Sequence, residues 1–130
     1  MLLRPVRYEA TGEPSMRAQC FCRECRYIAG GAGNLFMVMP ADGFVYVEGE
    51  PAKFTRADLE RAGTREFCPT CGTHLTTRGQ GSPAVVVKVG TLDDPALFEG
   101  PQMVLWTDEA EAYHHIPEGV PAFAKLPPRG

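Results

Sequence analysis

Several features are scarce in this chain of 130 residues, and each scarcity excludes something. No apolar run approaches the roughly 20 residues that a membrane-crossing helix needs, and the opening Met1-Leu2-Leu3-Arg4-Pro5 is too short for a secretory apolar region. Positive charge is not in excess: a net charge of -3 leaves no electrostatic footprint for nucleic acid. Internal repeats and low-complexity tracts are absent. Cysteine numbers only five, an odd count that fits a disulfide framework poorly and suits thiols kept free in a reducing cytoplasm. Long helices are disfavoured, because 14 glycines and 12 prolines break the chain into short elements joined by turns.

What is present is ordinary globular stock, 44% apolar and 22% charged, enough for one modest core in a single domain spanning 1–130. The cysteines stand apart from that background. Cys20, Cys22 and Cys25 fall within six residues of Gln-Cys-Phe-Cys-Arg-Glu-Cys-Arg, and Cys68 and Cys71 form a second pair in Phe-Cys-Pro-Thr-Cys-Gly. A Cys-x-x-Cys pair on a tight turn lets two thiolates reach one ion, and Cys20 adds a third ligand. Thiolate-rich sites without nearby aspartate or histidine suit zinc. Arg23 and Arg26 flank Cys25, where they are placed either to offset the charge of such a centre or simply in solvent.

In chain order, Val6 to Ala10 reads as a strand. The glycine-rich stretch 30–34 lacks the Gly-Lys-Ser/Thr ending of a phosphate loop and reads as a flexible connection. Leu35 to Met39 and Phe44 to Glu48 are apolar runs of strand length, expected to pair as a hairpin through Ala41-Asp42-Gly43. Lys53 to Thr55 is expected to pair with Arg65 to Phe67 across a polar segment that is either a loop or a turn or two of helix. Thr73 to Thr77 and Ala84 to Val89 are further strands, the second with valines on both faces. Asp94-Pro95 opens a helical turn through Phe98, Met103 to Trp106 is a last strand, and the chain ends in a frayed tail from about Leu126. This is a mainly β reading with zinc knuckles in loops and a few short helical turns.

Val6-Arg7-Tyr8, Cys20-Phe21-Cys22-Arg23-Glu24-Cys25-Arg26, Phe67-Cys68-Pro69-Thr70-Cys71-Gly72-Thr73 and Gly90-Thr91-Leu92-Asp93-Asp94-Pro95 together carry a resemblance. The chain resembles the glutathione-dependent formaldehyde-activating enzymes and their relative centromere protein V. That resemblance implies an Mss4-like β-tent, zinc at Cys20, Cys22 and Cys25 as the seat of chemistry, and a carbon-sulfur lyase activity that adds a thiol, glutathione in the family, to formaldehyde. It also makes Cys68 and Cys71 half of a four-cysteine structural site whose other positions fall on Met1 and Leu3. The pair alone is therefore expected to hold metal weakly or not at all, unless His74 completes it or both knuckles converge on one ion. Val104 and Tyr113 stand where many members carry histidine and tryptophan.

Two rivals accompany the lyase reading. One is a non-catalytic zinc domain that presents loops to a protein partner, to be told apart by the fourth ligand at the Cys20 site. The other is a methionine sulfoxide reductase, which shares the β-tent but needs a redox cysteine late in the chain; none follows Cys71. His114 and His115 point opposite ways if extended and read as structural residues. Trp106, Phe36 and Phe44 read as core, with an apolar wall of some kind required beside the metal.

Overall fold

A computed structural model describes residues 5–128. It is mainly β. The strands are β1 (Arg7–Ala10), β2 (Met16–Cys20), β3 (Asn34–Pro40), β4 (Phe44–Glu48), β5 (Ala52–Thr55), β6 (Thr64–Phe67), β7 (His74–Arg78), β8 (Ala84–Lys88) and β9 (Met103–Leu105), with one α-helix, α1 (Arg23–Ile28), between β2 and β3. No helix among the described residues is long and apolar enough to cross a membrane.

β1 and β4 form a two-stranded sheet, and the other seven strands form a second in the order β5-β6-β7-β8-β3-β2-β9. The expected pairing of β5 with β6 is present, Phe54 facing Arg65. The expected hairpin of β3 with β4 is not. β3 is central, both its edges already taken by β2 and β8, so the 3-10 turn at Ala41–Gly43 carries the chain out of the large sheet. β4 then pairs with β1, and Tyr8 stacks on Phe44 with ring centroids 5.1 Å apart. Gly43 has to be glycine there, since a Cβ would sit 2.3 Å from the Thr11 carbonyl oxygen.

The buried side chains form three clusters, the smallest of them Val6, Cys68 and Leu75. Met37, Met39, Val85, Val87 and Phe98 pack between the sheets with Phe44. The opposite face of the large sheet carries Ala18, Cys20, Phe36 and Leu105, with Val86 packed against them. The run of valines suggests burial on both faces; Val85 and Val87 are fully buried on one, and Val86 on the other is partly buried. Glu66, buried among the strands, accepts hydrogen bonds from Tyr46, Thr76 and Arg78, so its charge is well satisfied. The Asp94-Pro95 signal also holds: the Asp94 carboxylate accepts from the Ala96 amide and caps a 3-10 turn over Pro95–Phe98.

Candidate metal centre

Cys20, Cys22 and Cys25 come from a strand end, a junction and a helix rather than from one turn. Cys20 closes β2, its backbone opposite Asn34 of β3 and Leu105 of β9. Cys22 is the residue before α1, and Cys25 lies within that helix. The six-residue helix ends in a Schellman-type cap: Gly31 donates to the Arg26 carbonyl at 2.6 Å, and Gly30 takes a φ of 69°. The glycine-rich stretch is thus a tied connection, not a loose one. Gly33 packs so closely on Gln19 and Phe21 that a Cβ would lie 2.6 Å from the Gln19 amide.

The three sulfurs lie within 4.8 Å of one another. Thiolates at about 2.3 Å from one tetrahedral ion stand about 3.8 Å apart, so this donor set fits zinc with little adjustment. Among the described residues no fourth cysteine, histidine or carboxylate joins the group. Without a metal the three thiols share negative charge unequally. Hydrogen bonds from Cys20 and then Cys25 draw the Cys22 thiol far below its ordinary range, helped by backbone amides at the start of α1, while Cys20 is pushed far up as the donor. Asn34, 6% exposed, donates from Nδ2 to the Cys25 sulfur at 3.6 Å.

A cavity of about 260 Å³ opens beside the sulfurs. Its apolar wall is Phe36, Val86, Leu105, Trp106 and Leu126. Phe36 is core, as expected, and also wall. Leu126 belongs to the segment expected to fray, yet the chain up to Lys125 is held along β9, with the Trp106 amide donating to the Lys125 carbonyl at 3.1 Å. The polar side of the cavity is Lys88, Arg65 and Arg56, with Glu24 bridging the two arginines. Arg23 and Arg26 do not line it. Arg23 lies over the Tyr27 ring, and Arg26 donates to the Phe21 carbonyl and pairs with Glu111.

The second pair is compact but incomplete. Cys68 is buried, Gly72 donates to its carbonyl, and the Cys71 sulfur lies 3.1 Å from the Thr73 hydroxyl, which pulls that thiol below its usual range. His74 does not complete it: its Nε2 donates to the Thr76 carbonyl at 2.8 Å. Nor do the two knuckles converge, because the only group of three potential ligands among the described residues is Cys20, Cys22 and Cys25. Met1 and Leu3 lie outside the described residues. His114 is structural, accepting from the Glu111 amide and donating to the Gly31 carbonyl. Val104 is fully buried in β9, while Tyr113 is exposed against the His114 ring.

A model of the glutathione-dependent formaldehyde-activating enzymes matches residues 4–109, most of the chain and all three clustered cysteines. The chain belongs to that family. Among curated proteins none matches. A solved structure of a Rhodobacter sphaeroides protein shares the fold with a TM-score of 0.56, covering 75% of this chain and 90% of its own at 18% identity. The three closely spaced cysteines of the sequence are here a cluster of sulfurs that lines a cavity. Lys88, Arg65 and Asn34 escaped the sequence reading. The alternation of β8, which turns Lys88 to the same side as Val86, was the signal that pointed to the first of them.

Proposed function

We propose that the protein is a zinc-dependent carbon-sulfur lyase of the formaldehyde-activating type. In this reading it joins a small thiol, glutathione or a similar one, to formaldehyde or another small carbonyl compound and gives an S-hydroxymethyl adduct. The observation that carries it is the pairing of three sulfurs within 4.8 Å with a cavity that opens onto them. Cys20, Cys22 and Cys25 would hold zinc, which would supply the Lewis acidity that ionises a thiol of pKa about 8.5, a gain of roughly 30-fold at neutral pH.

That gain is modest, so most of the acceleration falls to positioning by the chain itself. Asn34 fixes the Cys25 sulfur. Phe36, Leu105 and Trp106 wall the cavity with apolar surface and limit water beside the sulfurs. Cys68 and Cys71 serve in this reading as a loop clasp that holds metal weakly if at all, and a reducing compartment such as the cytoplasm keeps all five thiols available. The absence of a fourth ligand among the described residues supports an enzyme over a closed structural centre.

The test is the rate of exchange between formaldehyde, glutathione and their adduct at equilibrium, followed by NMR with zinc-loaded protein and a protein-free control. Acceleration by the wild type and its loss in Cys22→Ala supports the reading. Exchange no faster than the control across several small thiols rejects it.

A further inference from the structure

The cavity holds a cation that the family signature does not account for. Lys88 is only 8% exposed, and its side chain lines the cavity with the three sulfurs. It is the last residue of β8, directly across from Phe36 of β3, and Phe36 packs in the same cluster as Cys20. Arg56 and Arg65 are engaged by Glu24, and Arg56 also by Asp58. The Lys88 carbonyl accepts from the Thr91 hydroxyl, but its ammonium has no hydrogen bond or ion pair among the described residues; its electrostatic neighbours are the cysteine sulfurs, Arg65 and His74. Among the described residues the one fully buried side-chain nitrogen or oxygen without a hydrogen-bond partner is Arg17 Nε, so the Lys88 ammonium reaches the open space of the cavity, and charged groups that face a cavity concentrate where chemistry uses them.

We propose that Lys88 is a catalytic residue that binds the oxygen of the carbonyl substrate and protonates it as the thiol adds. This rests on the lyase reading. The sulfur lone pair forms the S–C bond, the C=O π pair moves onto oxygen, and that oxygen takes a proton from Nζ. The amine then recovers the proton that the thiol released, so no other reactant is consumed. In the reverse direction the same amine removes the hydroxyl proton as the S–C bond breaks. A lysine ammonium that lines the cavity with the sulfurs can donate a hydrogen bond to the carbonyl oxygen and pass a proton to it. The low-dielectric surroundings of Phe36 and Val86 also strengthen its hold on a developing alkoxide.

Lys88→Met keeps the length and apolar stem of the side chain and removes the charge, and Lys88→Gln is the second variant should methionine fold poorly. Zinc content is measured by metal analysis and glutathione affinity by the fluorescence of Trp106, the single tryptophan, which lines the cavity. Exchange kinetics are measured on the same samples. The expected result is full zinc content, glutathione affinity unchanged within about twofold, and a fall in kcat of about 100-fold or more, the usual effect of losing one donor to a developing oxyanion. Three results overturn the proposal while leaving the lyase reading intact: undiminished exchange, loss of zinc (a charge-balancing role), or a loss of affinity that accounts for the whole effect (an anchor for the thiol's carboxylate). A wild type with zinc but no exchange overturns both.

Discussion

Asn34 holds Cys25 from across the connection between α1 and β3, its Nδ2 3.6 Å from the sulfur and its own backbone paired with Cys20. One residue thus registers two of the three sulfurs, one through the ladder and one through its amide. Such partners of metal ligands are worth about 10- to 100-fold in affinity. Asn34→Leu should keep the fold and weaken zinc binding within that range, as read by competition with a chromophoric chelator. Wild-type affinity in the variant would show that the contact is incidental.

The two cysteine groups should separate cleanly by mutation. Cys22→Ala leaves two thiolates, too few to hold zinc against a chelator, and should strip the metal. Cys71→Ser touches a pair that does not share the triad and should leave the zinc content nearly unchanged. If Cys71→Ser removed all the metal, the described separation of the sites would be wrong.

Much of this was legible in the sequence because it depends on local chemistry. The valine run of β8, the Asp94-Pro95 cap and the spacing of the cysteines each carry their own physical reason. β2 was illegible for the converse reason. Met16-Arg17-Ala18-Gln19-Cys20 has no β-branched or aromatic residue, and only burial of Ala18 and Cys20 between β3 and β9 makes it a strand. Missing β2 also makes the β3–β4 hairpin look available, since the edge that β2 occupies seems free. The cation beside the sulfurs was hidden within the valine run. Its importance comes from packing across β3, which no local pattern records.

His114 links the two connections that frame the centre. Its Nδ1 accepts from the Glu111 amide at 2.8 Å, its Nε2 donates to the Gly31 carbonyl at 2.7 Å, and its ring leans on Phe21, between Cys20 and Cys22. Together these contacts specify the neutral Nε2–H tautomer. His114→Ala should cost about 1–3 kcal/mol and speed amide exchange in the glycine-rich connection. Hydrogen exchange at Gly31 and Gly33 that matched the wild type would contradict the link.

Acid sensitivity should trace in part to His74. Its ring is half-buried, and burial, followed by the charge of Lys88, pulls it down to about 4, well below the ordinary histidine range. Above pH 6.5 the ring is neutral in both folded and unfolded chains, and His74 adds no pH dependence. Between about 6.5 and 4 the unfolded chain takes up a proton that the folded chain refuses, so stability falls with pH by at most about 1.4 kcal/mol per unit and then levels off. Glu66 adds a separate loss lower down. Burial opposes its ionisation, but Arg78 and Thr76 outweigh that and hold it below the usual carboxylate range, so its contribution is present above pH 4.5 and is lost as it protonates. Zinc loss in acid would blur both effects, so the melts belong in chelator with metal-free protein. His74→Asn should abolish the fall between pH 6.5 and 4.5 while leaving the loss from Glu66 below it. If wild type and variant melted in parallel across that window, the acid sensitivity would have to lie in other groups.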